Sequence, residues 1–556
     1  MNVFAWLPLF ALGAAEAPEY DYEIRTLVLE AQDFPGGGRV WRIQDSAVSA
    51  QGNWVVVARL IDHPENKLAA VYRDDEVVLL EGDEVPGTGG GTLYTYPRSP
   101  RFEPDGDLVW VIPYEKEGAF HGGIFWNDVP LLLTEDVPLA AGFPPHHVFG
   151  QFGDVRINRS GDILVHVTAV EPGTSNNQGL LMRIETDGDG NVLDQSVVAR
   201  PGDEILGAPS ALHAFEPGGM DIDDDGSILY QALFDPLPGT FPLTRGIVRD
   251  SAAVVMEGDL HPETGEDYEL YHEVGLSLHD GQAVYFAFFG EADGPEREEV
   301  LLRNGQVIRR EGDDVPGVPG ADILTLFVQA NGLDGVPVEQ TDSGSVLWYA
   351  RWSSGIGGGV QDEGLFLDDR PILLEGVTQL DGVQFMGLPG SRGQVGITPD
   401  ERYIIFEGSL GPREGAFLMT PKAQAVAELG CAVTPATLVA SADPELGSAM
   451  AIVADVAQEP GALVGLLIST RAIDGYPPCG LEVPGLGELI ADLSPPNPVV
   501  VIPGVWDGSP SSFHLLLPED DTLLGLQLYA QALFYKPDFV QEPYRLTPGL
   551  QLTLGH

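Results

Sequence analysis

Positive charge is what this 556-residue chain lacks most. Against 84 Asp and Glu it carries 28 Lys and Arg, a formal net charge of −56, and its only lysines are Lys67, Lys116, Lys422 and Lys536. Phosphate backbones and anionic lipid surfaces are bound by clustered Lys and Arg, so no nucleic acid is expected as a partner and no anionic membrane either. The acidic residues are spread over the whole chain, which fits a solvated surface better than a dedicated store for divalent ions.

Cysteine is nearly as scarce. Cys431 and Cys479 stand alone in the last quarter, neither with a metal-ligating neighbour at short spacing. A disulfide closing a long loop is expected, with two free thiols as the alternative. Long apolar runs are missing too: Val3 to Leu12 is too short to span a bilayer, and no other transmembrane segment is present. H-E-x-x-H, G-x-S-x-G, P-loop and G-x-G-x-x-G patterns are all absent, so no catalytic residue can be named from a motif and no cofactor is identified.

What is present is a repeat. Hydrophobic residues make up 44% of the chain, and 69 Gly and 45 Pro are scattered between short apolar runs, the pattern of many short strands with tight turns. Seven times an apolar stretch ends in Gly-Asp or a relative of it. It reads LEGDEVPG from Leu80, ARPGDEILG from Ala199, MEGDLHP from Met256 and REGDDVPG from Arg310, with weaker copies at Glu30, Leu133 and Leu374. Alternating with these is a tight turn ahead of a strand, as in FEPDGDLVWV, INRSGDILVHV and IDDDGSILYQA. Its turn position is held by Gly52, Gly106, Gly161, Gly226, Gly281, Gly344 and Glu401. A unit of this length that recurs seven times predicts an all-β seven-bladed β-propeller with four strands to a blade.

The phase of the repeat adds closure. The chain opens with a fourth-type strand at Ile24 to Ala31 and ends the repeats on a first, second and third strand near Gln394, Tyr403 and Ala416. The N-terminal strand is therefore expected to complete the last blade, which removes a sheet edge open to aggregation. The turns resemble the N-x-x-G-x-x-x-F repeats of exported bacterial proteins, with Val165 in the Phe place. ITPDERYIIFEG and FEPDGDLVWV resemble the repeats of TolB-type propellers. That resemblance, over roughly residues 24–420, implies propeller architecture and little about activity.

Past Thr420 the repeat stops. Residues 421–556 hold apolar runs separated by Pro-Gly turns and read as a C-terminal β-sandwich. LGCAV, PPCGLEV and GLQLYAQALFYKP resemble a C-terminal domain of secreted planctomycete-type bacterial proteins. At the other end, an apolar stretch followed by Ala15-Glu16-Ala17 reads as a signal peptide over 1–17, which places the propeller at 18–420 in an exported protein: secreted, periplasmic or at the cell surface.

Two sets of residues are candidates for chemistry. Asp221, Asp223 and Asp225 before Gly226 could offer oxygen ligands to Ca²⁺, though they also occupy the ordinary turn of the fourth repeat. The connections entering each blade carry Trp41, Tyr94, Tyr96, His146, His147, Phe149, His213, Phe215, Tyr268, Tyr271, His272, Phe327 and Phe385. If they gather at one mouth of a ring, His146, His147, His213, His272, Tyr94 and Tyr271 could bind a ligand; the aromatics are equally suited to packing between blades. No carboxylate cluster stands out above the acidic background. The function expected is a monomeric, non-enzymatic binding protein for a protein, glycan or ion. Alternatives are a propeller hydrolase or lyase of polysaccharide and a structural envelope component.

Overall fold

The computed structural model describes residues 21–555 apart from a set of segments, the longest being 236–242, 271–274, 291–296, 327–337, 354–360, 389–394, 457–461, 474–478 and 536–543. The chain forms two compact units, one of Ile24–Leu418 and one of Met419–His556 with residues 21–23. Both are all-β: among the described residues no helix is long and apolar enough to cross a membrane, and the one helix is a single 3-10 turn at Asp521–Leu523.

The first unit is propeller-like, a succession of seven antiparallel sheets of four or five strands with one further two-stranded pair, Gln379–Leu380 with Val383–Gln384. The first consists of Arg39–Val48, Trp54–Ile61, Ala69–Arg73 and Glu76–Leu80 in that order. The third is Val148–Ile157, Ile163–Val170, Asn177–Thr186 and Val192–Ala199. The second, fifth and sixth sheets split their first strand in two; in the second these pieces are Thr92–Leu93 and Arg98–Phe102. The seventh combines Val395–Ile397, Ile404–Leu410 and Arg413–Pro421 with Tyr22–Leu29, the N-terminal strand pairing beside Arg413–Pro421. Second strands such as Trp54–Ile61 and Gln282–Phe289 are almost wholly buried, as expected of runs packed on both faces.

The repeated Gly-Asp has a physical role. Asp83, Asp136, Asp203, Asp259 and Asp313 each accept, at 2.9 Å, the backbone N–H of the residue three before it, closing the turn at the end of the fourth strand. Glu81, Glu257 and Glu311, two residues before those Asp, accept amides at the start of the third strand: Leu68, Arg245 and Glu299. A second repeated device is the Asp or Asn that begins the turn between third and fourth strands. Asp74, Asn127, Asp250, Asn304 and Asp368 all sit at positive φ, where Asn and Asp are tolerated. Each side chain accepts the first amide of the second strand: Trp54, Leu108, Ile228, Ala283 and Val346.

Every sheet is also hydrogen-bonded to the next. Ser99 N–H donates to Asp45 and its hydroxyl to Asp154, linking the first three sheets. Asn158 donates to the carbonyl of Asp223, and Asp223 accepts from Gly281. Gln340 donates to the carbonyl of Ser277, Thr341 to Glu401, and Arg402 to the carbonyl of Ala50, so the seventh sheet meets the first. Apolar clusters fill the spaces between neighbouring sheets; one runs from Val109 and Trp126 in the second to Val165 and Met182 in the third.

In the second unit one sheet carries Gln424–Leu429, Gly549–Thr553, Gln527–Tyr535, Ala462–Ser469 and Val499–Trp506, and a three-stranded sheet carries Ala436–Ala440, Ala449–Val456 and Ser511–Leu516. Leu438, Ile452 and Phe513 of the smaller sheet meet Leu466, Ala532 and Leu552 of the larger in one core, as in a sandwich.

Candidate functional site

The first strands of neighbouring sheets lie side by side from the first sheet to the sixth, and that of the seventh lies beside that of the first; several carry a bulge. Registers shift between Ile43 and Asp45, Arg98 and Arg101, Phe152 and Val155, and Phe215 and Met220. A bulge adds a residue to one strand and re-aims the side chains around it. At the second of these Ser99 has φ 47 and is buried, a conformation costing on the order of 1 kcal/mol or more in a non-glycine residue.

At or beside these bulges stand Asp45, Arg101, Asp154, Arg156 and Asp221, and the sixth sheet adds Glu339. Their charges interact across the unit. Arg101 is coupled to Asp45, Asp154, Arg156 and Glu339, which belong to the first, third and sixth sheets. Glu339 is coupled to Arg101 and Arg156, and Asp221 to Arg156 and Glu339. The electrostatic neighbours of Arg101, Glu339 and Asp221 thus include residues of other sheets.

Electrostatics at these residues is governed by burial. Loss of water pushes the Asp45 carboxyl up to about 7, against the pull of Arg101 and the Ser99 amide. It pushes Asp221 up to about 6, with Arg156 opposing, and raises Glu339 against Arg156 and Arg101. The Arg101 guanidinium is lowered, first by burial and then by neighbouring Arg156. Asp45 is 6% exposed, whereas Arg101, Arg156, Asp221 and Glu339 keep part of their surface accessible.

Hydrogen bonding separates the members. Both oxygens of Asp45 accept amides, from Ser46 and Ser99, and both of Asp221 do so, from Ile222 and Leu278. Arg101 and Arg156 each donate to the carbonyl of the preceding residue and form no ion pair among the described residues. Glu339 has no side-chain hydrogen bond among them either. Glu339 is thus a carboxyl raised by burial, without a side-chain hydrogen bond among the described residues and with two guanidiniums as its electrostatic neighbours, the kind of perturbed group found at functional sites.

Apart from Asp221, the residues named from sequence are placed elsewhere. The carboxylates of Asp221 and Asp223 are committed to backbone amides of the fifth sheet, Asp221 to Leu278 and Asp223 to Asp280 and Gly281, while Asp225 is exposed and caps Ser227. The three do not form a cage, and the Ca²⁺ expectation gives way to turn and junction chemistry. His146 is exposed at φ 67, His147 lies against the carbonyl of Pro145, and exposed His213 pairs with Asp235 at 2.8 Å. The structure does not gather these three; Tyr271, His272, Phe327 and the 1–17 segment lie outside the described residues. Phe149, Phe215, Tyr268 and Phe385 pack against other rings in the interior. Tyr94 instead lies 4.6 Å from Phe120, itself 69% exposed, and Trp41, 42% exposed, stacks on Arg59 at 4.1 Å.

Cys431 and Cys479 are joined, with Cα atoms 5.1 Å apart. Their sulfurs and a carboxylate oxygen of buried Glu488 lie within 4.8 Å of one another, a set that could coordinate a metal ion, though not a calcium-type oxygen cage. Only thiolates ligate strongly, so the disulfide must first be reduced. In the oxidised form Glu488 accepts the amides of Cys431 and Gly480.

The chain belongs to a family of unknown function, DUF7453, whose model matches residues 17–380, more than half its length. No curated protein matches it. Among solved structures it is similar to a fungal alcohol oxidase of the AA5 family in complex with copper, at 11% identity and TM-score 0.31 over 97% of this chain and 100% of that one. It is also similar to Trypanosoma rangeli sialidase in complex with sialic acid, at 10% identity and TM-score 0.25 over 97% and 93%. A third is a GH43_12 protein from a capybara gut metagenome, at 8% identity and TM-score 0.23 over 96% and 91%. At such scores none of them says what this chain does. The expectation of a non-enzymatic protein is corrected by the Cys431, Cys479 and Glu488 set, which could coordinate a ligand; sequence reasoning missed both that set and the charged group apart from Asp221.

Proposed function

We propose that residues 18–420 form a closed seven-bladed propeller whose centre is a glycan-acting hydrolase or lyase site. Residues 421–556 are a separate sandwich domain of the same exported protein. The observation that carries the reading is Glu339: partly exposed, free of side-chain hydrogen bonds among the described residues, held toward its protonated form by burial, and coupled to Arg101, Arg156 and Asp221.

Cleavage of a glycosidic bond needs an acid to protonate the leaving oxygen and a carboxylate or base on the other side of the sugar. Glu339 suits the first role because it keeps its proton above the usual carboxylate range. Asp154, which accepts one hydrogen bond from the Ser99 hydroxyl, suits the second, being partly exposed and next to Arg101. The arginines stabilise negative charge that develops between them. Exposed rings at Tyr94 with Phe120, and at Trp41, offer apolar faces on which a sugar can stack.

The test is incubation with a panel of plant, algal and microbial polysaccharides. New reducing ends report hydrolysis, and ultraviolet absorbance of unsaturated ends reports elimination. Turnover of at least one polysaccharide, lost in Glu339→Gln and kept in Ser210→Ala, is expected. No turnover on the whole panel, or full activity in Glu339→Gln, would overturn the reading.

A further inference from the structure

We propose that the second unit holds a metal site gated by reduction. When the Cys431–Cys479 disulfide is opened, the two thiolates and the carboxylate of Glu488 take up a thiophilic divalent cation of the zinc class. The site is independent of what the first unit acts on. Its geometry is already assembled in the oxidised chain: the two sulfurs and a carboxylate oxygen of Glu488 lie within 4.8 Å of one another, and the cysteine Cα atoms are 5.1 Å apart. Zinc binds sulfur at about 2.3 Å and carboxylate oxygen at about 2.1 Å. An ion seated among the three groups therefore asks mainly that the sulfurs part.

The carboxylate is fixed from both sides. Glu488 is buried, and its oxygens accept the amide of Cys431 at 2.7 Å and that of Gly480, the residue after Cys479. A carboxylate has about four acceptor sites, so two amides do not exhaust it. Its strand, Gly487–Leu489, pairs with Leu481–Val483, just past Cys479. Buried Gln531 clamps that strand, donating to the carbonyl of Glu488 at 2.6 Å and to that of Thr547 at 2.8 Å while accepting the amide of Ile490 at 3.0 Å. Such supporting bonds orient a ligand before the metal arrives.

Ligand chemistry names the ion. Two thiolates and one carboxylate suit Zn²⁺ and disfavour Ca²⁺ and Mg²⁺, which take shells of oxygen. Three protein ligands leave the fourth tetrahedral position to water. Exposed Cys431 gives a reductant access. An external dithiol passes two electrons and two protons to the S–S bond and becomes a disulfide itself, leaving two thiols here. The cation then displaces both protons to solvent as the two sulfur–metal bonds form. Disulfide and metal exclude one another.

The experiment takes the whole chain, reduced with dithiothreitol, desalted without oxygen and titrated with Co²⁺ and then Zn²⁺. A single equivalent of Co²⁺ should bring the visible absorption of a tetrahedral site and a near-ultraviolet sulfur-to-cobalt band, and Zn²⁺ should bleach both. The oxidised chain and the reduced double variant Cys431→Ser with Cys479→Ser should show neither. Glu488→Gln should weaken Zn²⁺ binding by at least the roughly 10-fold that loss of a supporting partner costs. Zn²⁺, and not Ca²⁺ or Mg²⁺, should slow alkylation of both thiols and raise the unfolding midpoint of the reduced second unit, which separates a folded site from chelation by unfolded chain. If a variant fails to fold, the oxidised and reduced forms of the natural chain decide. No sulfur-to-cobalt band in the reduced natural chain, equal Zn²⁺ binding by the oxidised one, or unchanged affinity in folded Glu488→Gln would overturn the proposal.

Discussion

Moving the solution from about pH 5 to about pH 8 should weaken the first unit because Asp45 must ionise inside it. The carboxyl is buried and its pKa stands at about 7 against an ordinary value of 3.8. The folded state therefore binds this proton more tightly than the unfolded chain. The sign follows: the contribution to stability is fully present below about pH 4, falls through the window between the two values, and is gone above about pH 7. At about 1.4 kcal/mol for each tenfold difference in proton affinity, the loss is roughly 4 kcal/mol across the window. Asp221, raised to about 6, adds a smaller loss of the same sign, and Glu339 acts in that direction too. His166, whose pKa is lowered by burial, works the other way, since the unfolded chain binds its proton better.

The ordinary surface carboxylates are ionised in both states throughout this range and do not contribute. Thermal unfolding of the natural chain and of Asp45→Asn, at half-unit steps of pH, isolates the one group. The variant should show a flatter decline from about pH 5 to about pH 8, by roughly 2.7 kcal/mol over that range, the two units of pH between 5 and 7 at about 1.4 kcal/mol each. An infrared band of a protonated carboxyl, present in the natural chain at about pH 6 and missing in the variant, is the direct check. Parallel pH curves with no such band would mean that Asp45 is ionised throughout and that the ring centre is wetter than its packing implies.

Other perturbations reach the remaining links. Asp223→Ala leaves the buried turn without the acceptor for Asp280 and Gly281 and should cost roughly 3 kcal/mol, read as a lower unfolding midpoint; Ca²⁺ should not raise the midpoint of the natural chain. Asp313→Ala removes one turn-closing acceptor and should cost only about 1 kcal/mol, so equal losses for both substitutions would contradict the distinction between junction and turn. Reducing Cys431–Cys479, separated by 48 residues, should lower the stability of the second unit by about 4 kcal/mol in the chain-entropy view, visible as a shift of one calorimetric transition and not the other. Starting the chain at Asp33 deletes Tyr22–Leu29 and bares the edge of Arg413–Pro421; self-association on a sizing column is expected, and a well-behaved monomer would show that the strand is dispensable.

The all-β succession of antiparallel sheets was legible and the site was not, for one physical reason. Turn chemistry is local: Asp83 reaches an amide three residues away and Asn127 caps a strand nineteen residues back, so each repeat writes the same letters at the same spacing. The Asp or Asn that begins the third-to-fourth-strand turn at Asp74, Asn127, Asp250, Asn304 and Asp368 is just as regular and was open to discovery by the same route. The charged centre has no such signature. Five of the seven sheets supply one or two members each, from Asp45 to Glu339, and whether a residue on a first strand faces inward depends on bulges set by neighbours such as the Ser99-Pro100 step. A one-residue change of register turns a strand's faces over, so alternation alone cannot tell an inward Asp154 from an outward one in a chain this acidic. The same logic explains why the Asp-rich turn misled: Asp221 and Asp223 look like ligands in sequence because carboxylates two apart share a strand face, yet on this strand that face meets the amides of the next sheet. In a succession of repeated sheets, a feature that recurs in each sheet serves assembly. The informative residues are those that break the repeat, as Arg101 and Arg156 do by being basic on inner strands where the neighbouring sheets place acids.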